Sequence, residues 1–308
     1  GKKWLKRFFA SLSKQTYKNV ELILIDNGST DGSIEFVKKY FPKVKIVVNK
    51  KNYGLAKATN IGVKNSHGKY ILFMNNDTWV DKNFIDNFVR FYESNRYQVI
   101  SAAEKRYYKD TYFKCNTTID PTGSPAYFKP TLNKKKLFYL TVCFFCTKEI
   151  FESSGGLDED FFMYYEDVDW FWRLSLQGRK FAMMENNFIH HAGAGSTGGG
   201  IKYNTFLWRN QNTLQTLIKN YSLPILIVVL PVYFVQNLVE ILFFLLIGRP
   251  KISQSYVEGW IYNLKKIKKT LKKREWVQKN RVVNDLEILR KMYMGFGKYL
   301  FLKDYFEK

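Results

Sequence analysis

The strongest constraint on the fold is an alternation that runs from the start of the chain to about residue 200. Short β-rich runs alternate with amphipathic stretches, and the runs stop at polar clusters. Val20-Glu-Leu-Ile-Leu-Ile25 reads as a strand and ends at Asp26-Asn-Gly-Ser-Thr-Asp-Gly32. A helix is predicted over 33–40, stopped by Pro42, followed by a strand at Val44-Lys-Ile-Val-Val48. A second helix is predicted over 54–64, and Tyr70-Ile-Leu-Phe-Met74 is a further strand that ends at Asn75-Asn-Asp77. This order implies an α/β domain with a mostly parallel sheet flanked by helices, and such sheets bind ligands at the carboxyl ends of their strands. The sequence itself opens on Lys3-Trp-Leu-Lys-Arg-Phe-Phe-Ala-Ser-Leu12, whose apolar residues recur at helical spacing.

Beyond the first strands, residues 104–139 are rich in Tyr, Lys, Pro and Thr and read as an irregular surface excursion. A strand is expected around 140–146. It contains Cys143 and Cys146, which an odd separation sends to opposite strand faces. No second Cys/His pair at zinc spacing exists, so they read as core thiols, consistent with a reducing, cytoplasmic setting. Composition changes after Tyr221: Leu223 to Ile247 is almost wholly apolar and the remainder is strongly basic. Two regions are therefore expected, 1–221 and 222–308.

Four clusters carry chemistry. Asp26 and Asn27 either accept from a nucleobase or ribose, or cap a helix through an Asx-type turn. Asp77 at a strand end either binds a divalent cation that holds a diphosphate, or closes a turn. The block from Gly155 to Arg173 gathers acids and large aromatics at a helix start, with Glu166, Asp169 and Arg173 on one stripe. Asp167 points about 100° away from Glu166 on helical geometry, free to act as a general base while its neighbours are tied down. His190 and His191 precede a glycine run, and an imidazole there can complete a metal shell begun by a carboxylate. His67 reads as a helix-ending turn residue.

Taken in order, Asp26-Asn-Gly-Ser-Thr-Asp-Gly32, Asn60-Ile-Gly62, Asn75-Asn-Asp77-Thr, Gly156-Leu-Asp-Glu followed by Phe161-Phe and Glu166-Asp-x-Asp169, and His190-His-x-Gly resemble the family 2 glycosyltransferases of GT-A fold, especially the rhamnosyltransferase-like members. The resemblance implies a Rossmann-like domain over 1–221 and an inverting, metal-dependent transfer of a sugar, with rhamnose favoured. It places Asp26, Asn27 and Gly54 at the nucleoside of a nucleotide-sugar and Asn76 at the metal-binding motif. Asp77 would hold Mg2+ or Mn2+, with His191 as the preferred second ligand and His190 as the alternative. Asp167 would be the catalytic base. Asn75 stands where many relatives have a first Asp, and the first strand of the family is expected to precede residue 1.

The formal net charge of +22 asks for an anionic partner: nucleic acid, anionic lipid or a phosphorylated substrate. No nucleic-acid module is present. The run 223–247 is long enough to span a bilayer, but a single span with a cytoplasmic catalytic domain would put the Lys-rich tail outside. A monotopic or re-entrant segment is expected instead. In the following helix Val257, Trp260, Ile261, Leu264, Ile267 and Leu271 share a face opposite Lys265, Lys266, Lys268, Lys269, Lys272 and Lys273. A dimerisation or core-packing helix is the other reading. The expectation is thus an enzyme at the cytoplasmic face of the cell membrane, acting on a glycan or lipid-linked acceptor in surface polysaccharide or glycolipid synthesis. A catalytically inactive scaffold of the same fold, or a basic nucleic-acid-binding protein, are the competing readings.

Overall fold

A computed structural model describes residues 2–106, 112–113, 116–128, 139, 143–193 and 202–299. The elements run α1 (Lys2–Ser13), β1 (Ile23–Asp26), α2 (Ser33–Tyr40), β2 (Lys45–Val48), α3 (Leu55–Lys64), β3 (Tyr70–Met74), β4 (Thr78–Val80), α4 (Phe84–Ser94), β5 (Val99–Arg106) and β6 (Tyr112–Phe113). Then come β7 (Asn116–Ile119), β8 (Pro125–Phe128), β9 (Cys143–Thr147), α5 (Lys148–Ser153), α6 (Glu166–Leu176), β10 (Phe181–His191), α7 (Tyr203–Asn220), α8 (Leu223–Leu246), α9 (Pro250–Lys279) and α10 (Asp285–Leu289). They form two compact units. The first comprises residues 1–115, 140–162 and 179–198; the second comprises 116–139, 163–178 and 199–308. The boundary expected near residue 221 lies inside the second unit, at the turn between α7 and α8.

In the first unit β1 pairs with β2 in parallel, and a six-stranded sheet follows the path β3-β9-β5-β10-β4, with β6 on β5. The α/β class holds, but the larger sheet is mixed. Only β5–β10 is parallel there, while β9 runs antiparallel to both neighbours. Alternating strands and helices in sequence do not reveal a strand such as β9 that inserts late between β3 and β5. Its Cys143, Phe144, Phe145 and Cys146 are all buried, as both faces of a central strand require. Around it pack Phe8 and Phe9 of α1, Val37 of α2, Phe84 and Phe88 of α4, and Ile189 of β10. Phe88 stacks on Phe145 at 5.3 Å. Helical spacing of Leu5, Phe8, Phe9 and Leu12 is what turns α1 to this core.

The second unit corrects one expectation. Residues 116–128 are a β-hairpin and not a surface excursion, because β7 pairs antiparallel with β8 and Thr118, Ile119, Asp120 and Ala126 are buried. Residues 107–111, 114–115 and 129–138 of that segment lie outside the described residues, as does the glycine run 194–200. Asp120 ties the hairpin turn, accepting from the Thr122 and Ser124 N–H groups at 2.9 Å each. α7 packs along α9, and α9 turns Ser255, Gly259, Asn263 and Thr270 inward. A Cβ on Gly259 would lie 3.0 Å from the Asn210 Cβ, so any side chain there would crowd the close approach of the two helices. Of the expected apolar stripe of α9, Val257, Ile261, Leu264 and Leu271 are exposed, together with Lys265, Lys268 and Lys272 that were expected on the opposite face, while Trp260 and Ile267 are half-buried.

Candidate functional site

The first unit gathers three of the sequence-predicted clusters at strand ends. Asp26 closes β1, and its Oδ2 accepts from the N–H groups of Gly28 at 3.1 Å and Ser29 at 3.0 Å. This is the Asx-type turn, and it buries the carboxylate. Asn27 is the hub of the neighbouring loop. Its Nδ2 donates to Asn52 Oδ1 at 2.8 Å and to the Gly54 carbonyl at 3.1 Å, and its Oδ1 accepts from Asn49 Nδ2 at 3.1 Å and the Tyr53 N–H at 3.0 Å. The Asn27 side chain thus holds the 49–54 loop against the end of β1. Gly54, at φ +84°, begins α3, and a Cβ there would sit 2.3 Å from the Phe162 carbonyl oxygen. No other residue fits that position without moving the backbone.

Asp77 lies in the turn between β3 and β4, its backbone carbonyl accepting from the Ala192 N–H at 3.0 Å. β4 pairs antiparallel with β10, placing His190 opposite Trp79 and His191 opposite Thr78. Strand alternation then separates the two histidines. His190 stacks on Trp79 at 5.4 Å and 7°. His191 turns to Asp77, with Nε2 3.3 Å from Asp77 Oδ1, while Nδ1 lies 2.8 Å from Glu104 Oε1 of β5. Burial works against the imidazolium, but the hydrogen bonds to Asp77 and Glu104 outweigh it and raise its pKa to about 9. Of the two histidines left open by the sequence, His191 is the one brought to Asp77. Asn76 is exposed beside it. Glu104 was not singled out in the sequence; the alternation of β5 next to a His-bearing strand was its only signal.

The second unit carries the acidic helix start. Tyr164 and Tyr165 both have φ of +68°, a left-handed conformation that large side chains rarely adopt. Asn212 of α7 holds this turn, its Nδ2 donating to the carbonyls of Met163 at 3.0 Å and Tyr164 at 2.7 Å. The Tyr165 hydroxyl donates to the Gly123 carbonyl at 2.8 Å. Strain of this kind costs of order 1 kcal/mol or more per residue and survives where surrounding structure over-determines it. Asn212 is a second residue that sequence reasoning missed.

Immediately after the strained pair, Asp169 is the carboxylate that is tied down, by Arg173 Nε at 3.0 Å, Lys219 Nζ at 2.9 Å and Asn220 Nδ2 at 3.2 Å. Glu166, expected to be tied with it, is buried with no hydrogen-bond partner on Oε2. Asp167 is half-buried and its Oδ1 accepts from the Val168 N–H at 2.8 Å. Burial raises both pKa values; for Glu166 the charge of Asp167 adds to it, and for Asp167 the Val168 N–H and Arg209 oppose it. A carboxyl raised in this way is a better proton acceptor near neutral pH.

Cys143 and Cys146 are buried free thiols, and burial pushes the Cys143 thiol up to about 11. Both are core groups. Among the described residues no three His, Cys, Asp or Glu side chains converge on one point as a metal cage would.

Residues 1–155 match the model of glycosyl transferase family 2. Glycosyltransferase GlyA of Streptococcus pneumoniae is 32% identical over 85 residues, which are 27% of this chain and 12% of that protein. An uncharacterized glycosyltransferase of Haemophilus influenzae is 37% identical over 95 residues, 30% of this chain and 38% of the relative. The chain thus spans well under two thirds of the length of these relatives. Among solved structures, the mannosyltransferase PcManGT of Pyrobaculum calidifontis in complex with GDP-Man and Mn2+ superposes with a TM-score of 0.54 at 12% identity, covering 94% of this chain and 82% of that one. TarS 1–349 of S. aureus in complex with UDP gives 0.53 at 17% identity, over 71% and 62% of the two chains. GalNAc-T7 with UDP, GalNAc and Mn2+ gives 0.56 at 17% identity, over 71% and 46%.

Proposed function

Since the chain belongs to glycosyl transferase family 2 and has the GT-A fold of its structural neighbours, we propose that it moves a sugar from a nucleotide-sugar to an acceptor hydroxyl with inversion at the anomeric carbon. The observation that carries this reading is Asp77 Oδ1 within 3.3 Å of His191 Nε2, with Glu104 on the far ring nitrogen.

That arrangement fits a divalent cation. Asp77 Oδ1 and His191 Nε2 lie side by side, 3.3 Å apart, and a carboxylate on the other ring nitrogen orients a metal-binding histidine and selects its tautomer. Asp77 and His191 would hold the cation, with Glu104 fixing the ring of His191. Mg2+ or Mn2+ bound there would neutralise charge on the departing nucleoside diphosphate. Asp26, Asn27, Gly54 and Asn76 are assigned to the nucleotide-sugar. Asn27 acts by holding the 49–54 loop, and Gly54 by letting that loop meet the Phe162 backbone.

Asp167 is assigned the base. Its carboxylate takes the proton of the acceptor hydroxyl, that oxygen bonds to the anomeric carbon, and the bond to the diphosphate breaks with its electron pair leaving on the diphosphate. Asn212, by fixing the left-handed turn, positions the start of α6. Rhamnose is the favoured sugar by resemblance. The acceptor is a glycan or lipid-linked sugar at the cytoplasmic face of the membrane, with 1–221 as the catalytic region and 222–308 for membrane association.

The test is slow hydrolysis of a panel of nucleotide-sugars with Mg2+ or Mn2+. One responsive donor is expected, with Asp77→Ala and Asp167→Asn each lowering turnover by about 100-fold or more. No turnover with any donor, together with no metal-dependent nucleotide binding, would replace this reading with that of an inactive scaffold.

A further inference from the structure

Resting on the membrane-association part of that reading, we propose that the outer faces of α8 and α9 form a docking surface for an anionic lipid leaflet. α8 lies in the plane of that leaflet and does not cross the bilayer. At 24 residues α8 is about 36 Å long, enough to span the hydrocarbon. Length alone cannot separate the two arrangements, but the packing of its two sides does.

One side is fastened to the second unit along the whole helix. Leu226, Val229, Tyr233, Asn237 and Phe244 are buried. Polar anchors run beside them: Lys298 Nζ lies 2.7 Å from Glu240, which also accepts from the Tyr256 hydroxyl, and Ser253 Oγ donates to the Ile241 carbonyl at 2.8 Å. A spanning α8 would carry this ion pair into the hydrocarbon core, together with α9 and the polar α7 behind it, at a large desolvation cost.

The other side is bare and apolar. Ile227, Val228, Val235, Val239 and Leu242 are each 60–66% exposed, an unbroken stripe along the helix. On α9, Val257, Ile261 and Leu264 are exposed as well. Lys265, Lys268 and Lys272 are exposed on the same helix. An apolar stripe bordered by lysines suits the boundary between headgroups and acyl chains of an anionic leaflet. The same charges disfavour a second copy as occupant, since two chains of net charge +22 repel.

The test places spin labels at Val228→Cys, Val235→Cys and Leu242→Cys, one at a time, with the third cysteine of the sequence removed as Cys115→Ser and the buried Cys143 and Cys146 kept. Binding to phosphatidylcholine–phosphatidylglycerol vesicles and label depth are read together. We expect one shallow depth for all three positions, and binding about 100-fold weaker to phosphatidylcholine alone, the effect of about three lysines near a charged surface. Depths graded over about 20 Å, the axial span of fourteen helical residues, would show a crossing helix and overturn the proposal. So would labels that gain protection only through dimerisation, without lipid. Donor hydrolysis on the same variants separates the failures. Lost lipid binding with hydrolysis intact overturns this surface alone, and lost hydrolysis with lipid binding intact overturns the catalytic reading.

Discussion

The two units of this chain use apolar side chains in opposite ways. In the first, Phe9, Phe84, Phe88, Ile100 and Phe145 are buried in one cluster, and polar residues collect at strand ends. In the second, α6 still buries Trp170, Phe171 and Leu174, but α7 turns Asn210, Asn212, Gln215, Thr216, Lys219 and Asn220 inward while α8 leaves Val228, Val235, Val239 and Leu242 exposed. Among the described residues, buried polar atoms with no hydrogen-bond partner follow the same division. Glu166 Oε2, Gln215 Nε2, Thr216 Oγ1, Asn237 Nδ2 and Asn263 Oδ1 belong to the second unit, against Thr59 Oγ1 in the first. The difference teaches that hydropathy alone misjudges what is core here. A water-facing fold explains the first unit, whereas the α7–α9 part of the second combines a polar buried seam with an apolar exposed stripe.

Matched deletions break or confirm that contrast most strongly. Phe88→Ala, in the first unit, is expected to cost about 3–5 kcal/mol in denaturant unfolding. Val235→Ser, on the outer side of α8, is expected to change stability in lipid-free buffer by less than about 0.5 kcal/mol. A large loss for Val235→Ser would mean that the α8 stripe is packed in solution.

A smaller effect concerns Glu104. Glu104→Gln keeps the side chain's size but removes its charge from the Nδ1 side of His191. Mn2+ affinity is expected to fall about 10–100-fold, read by the free-Mn2+ signal, with the melting temperature little changed. Unaltered affinity would reduce Glu104 to an ion-pair partner of His191.

The smallest concerns Glu166. Burial and the adjacent Asp167 hold its pKa above the ordinary range, so the folded state binds this proton more tightly than the unfolded chain. Stability from that proton is fully present below the unfolded value near 4.5 and is lost as pH rises through the folded one. Glu166→Gln should therefore gain about 1 kcal/mol or more relative to wild type on going from pH 5 to pH 9. A gain that does not grow with pH would mean that Glu166 is charged and satisfied.

What the sequence revealed was local. The helix predicted over 33–40 is α2 at Ser33–Tyr40, and the strand at 70–74 is β3. Both were legible because spacing and turn residues sit within one element. Asp77 and His191 were legible as residue types at strand ends. Their meeting was anticipated through the family resemblance alone, because it depends on the antiparallel pairing of β10 with β4 across more than a hundred residues. Glu104 escaped notice for the same reason, being 87 residues from the ring it contacts. The left-handed Tyr164 and Tyr165 carry no glycine or asparagine to signal them. In α9 the buried seam mixes Ile252, Tyr256 and Val277 with Ser255, Gly259, Asn263 and Thr270, so hydropathy alone did not mark the packed side.

The most direct test of the site is a Mn2+ titration in the presence of UDP or GDP, comparing wild type with Asp77→Ala, His191→Ala and His190→Ala. We expect nucleotide-dependent Mn2+ binding that is lost in Asp77→Ala and weakened at least about tenfold in His191→Ala. His190→Ala, which removes only the ring stacked on Trp79, should bind as wild type does. Equal binding by all four proteins, or loss in His190→Ala with His191→Ala unaffected, would contradict the assignment of Asp77 and His191 to the metal.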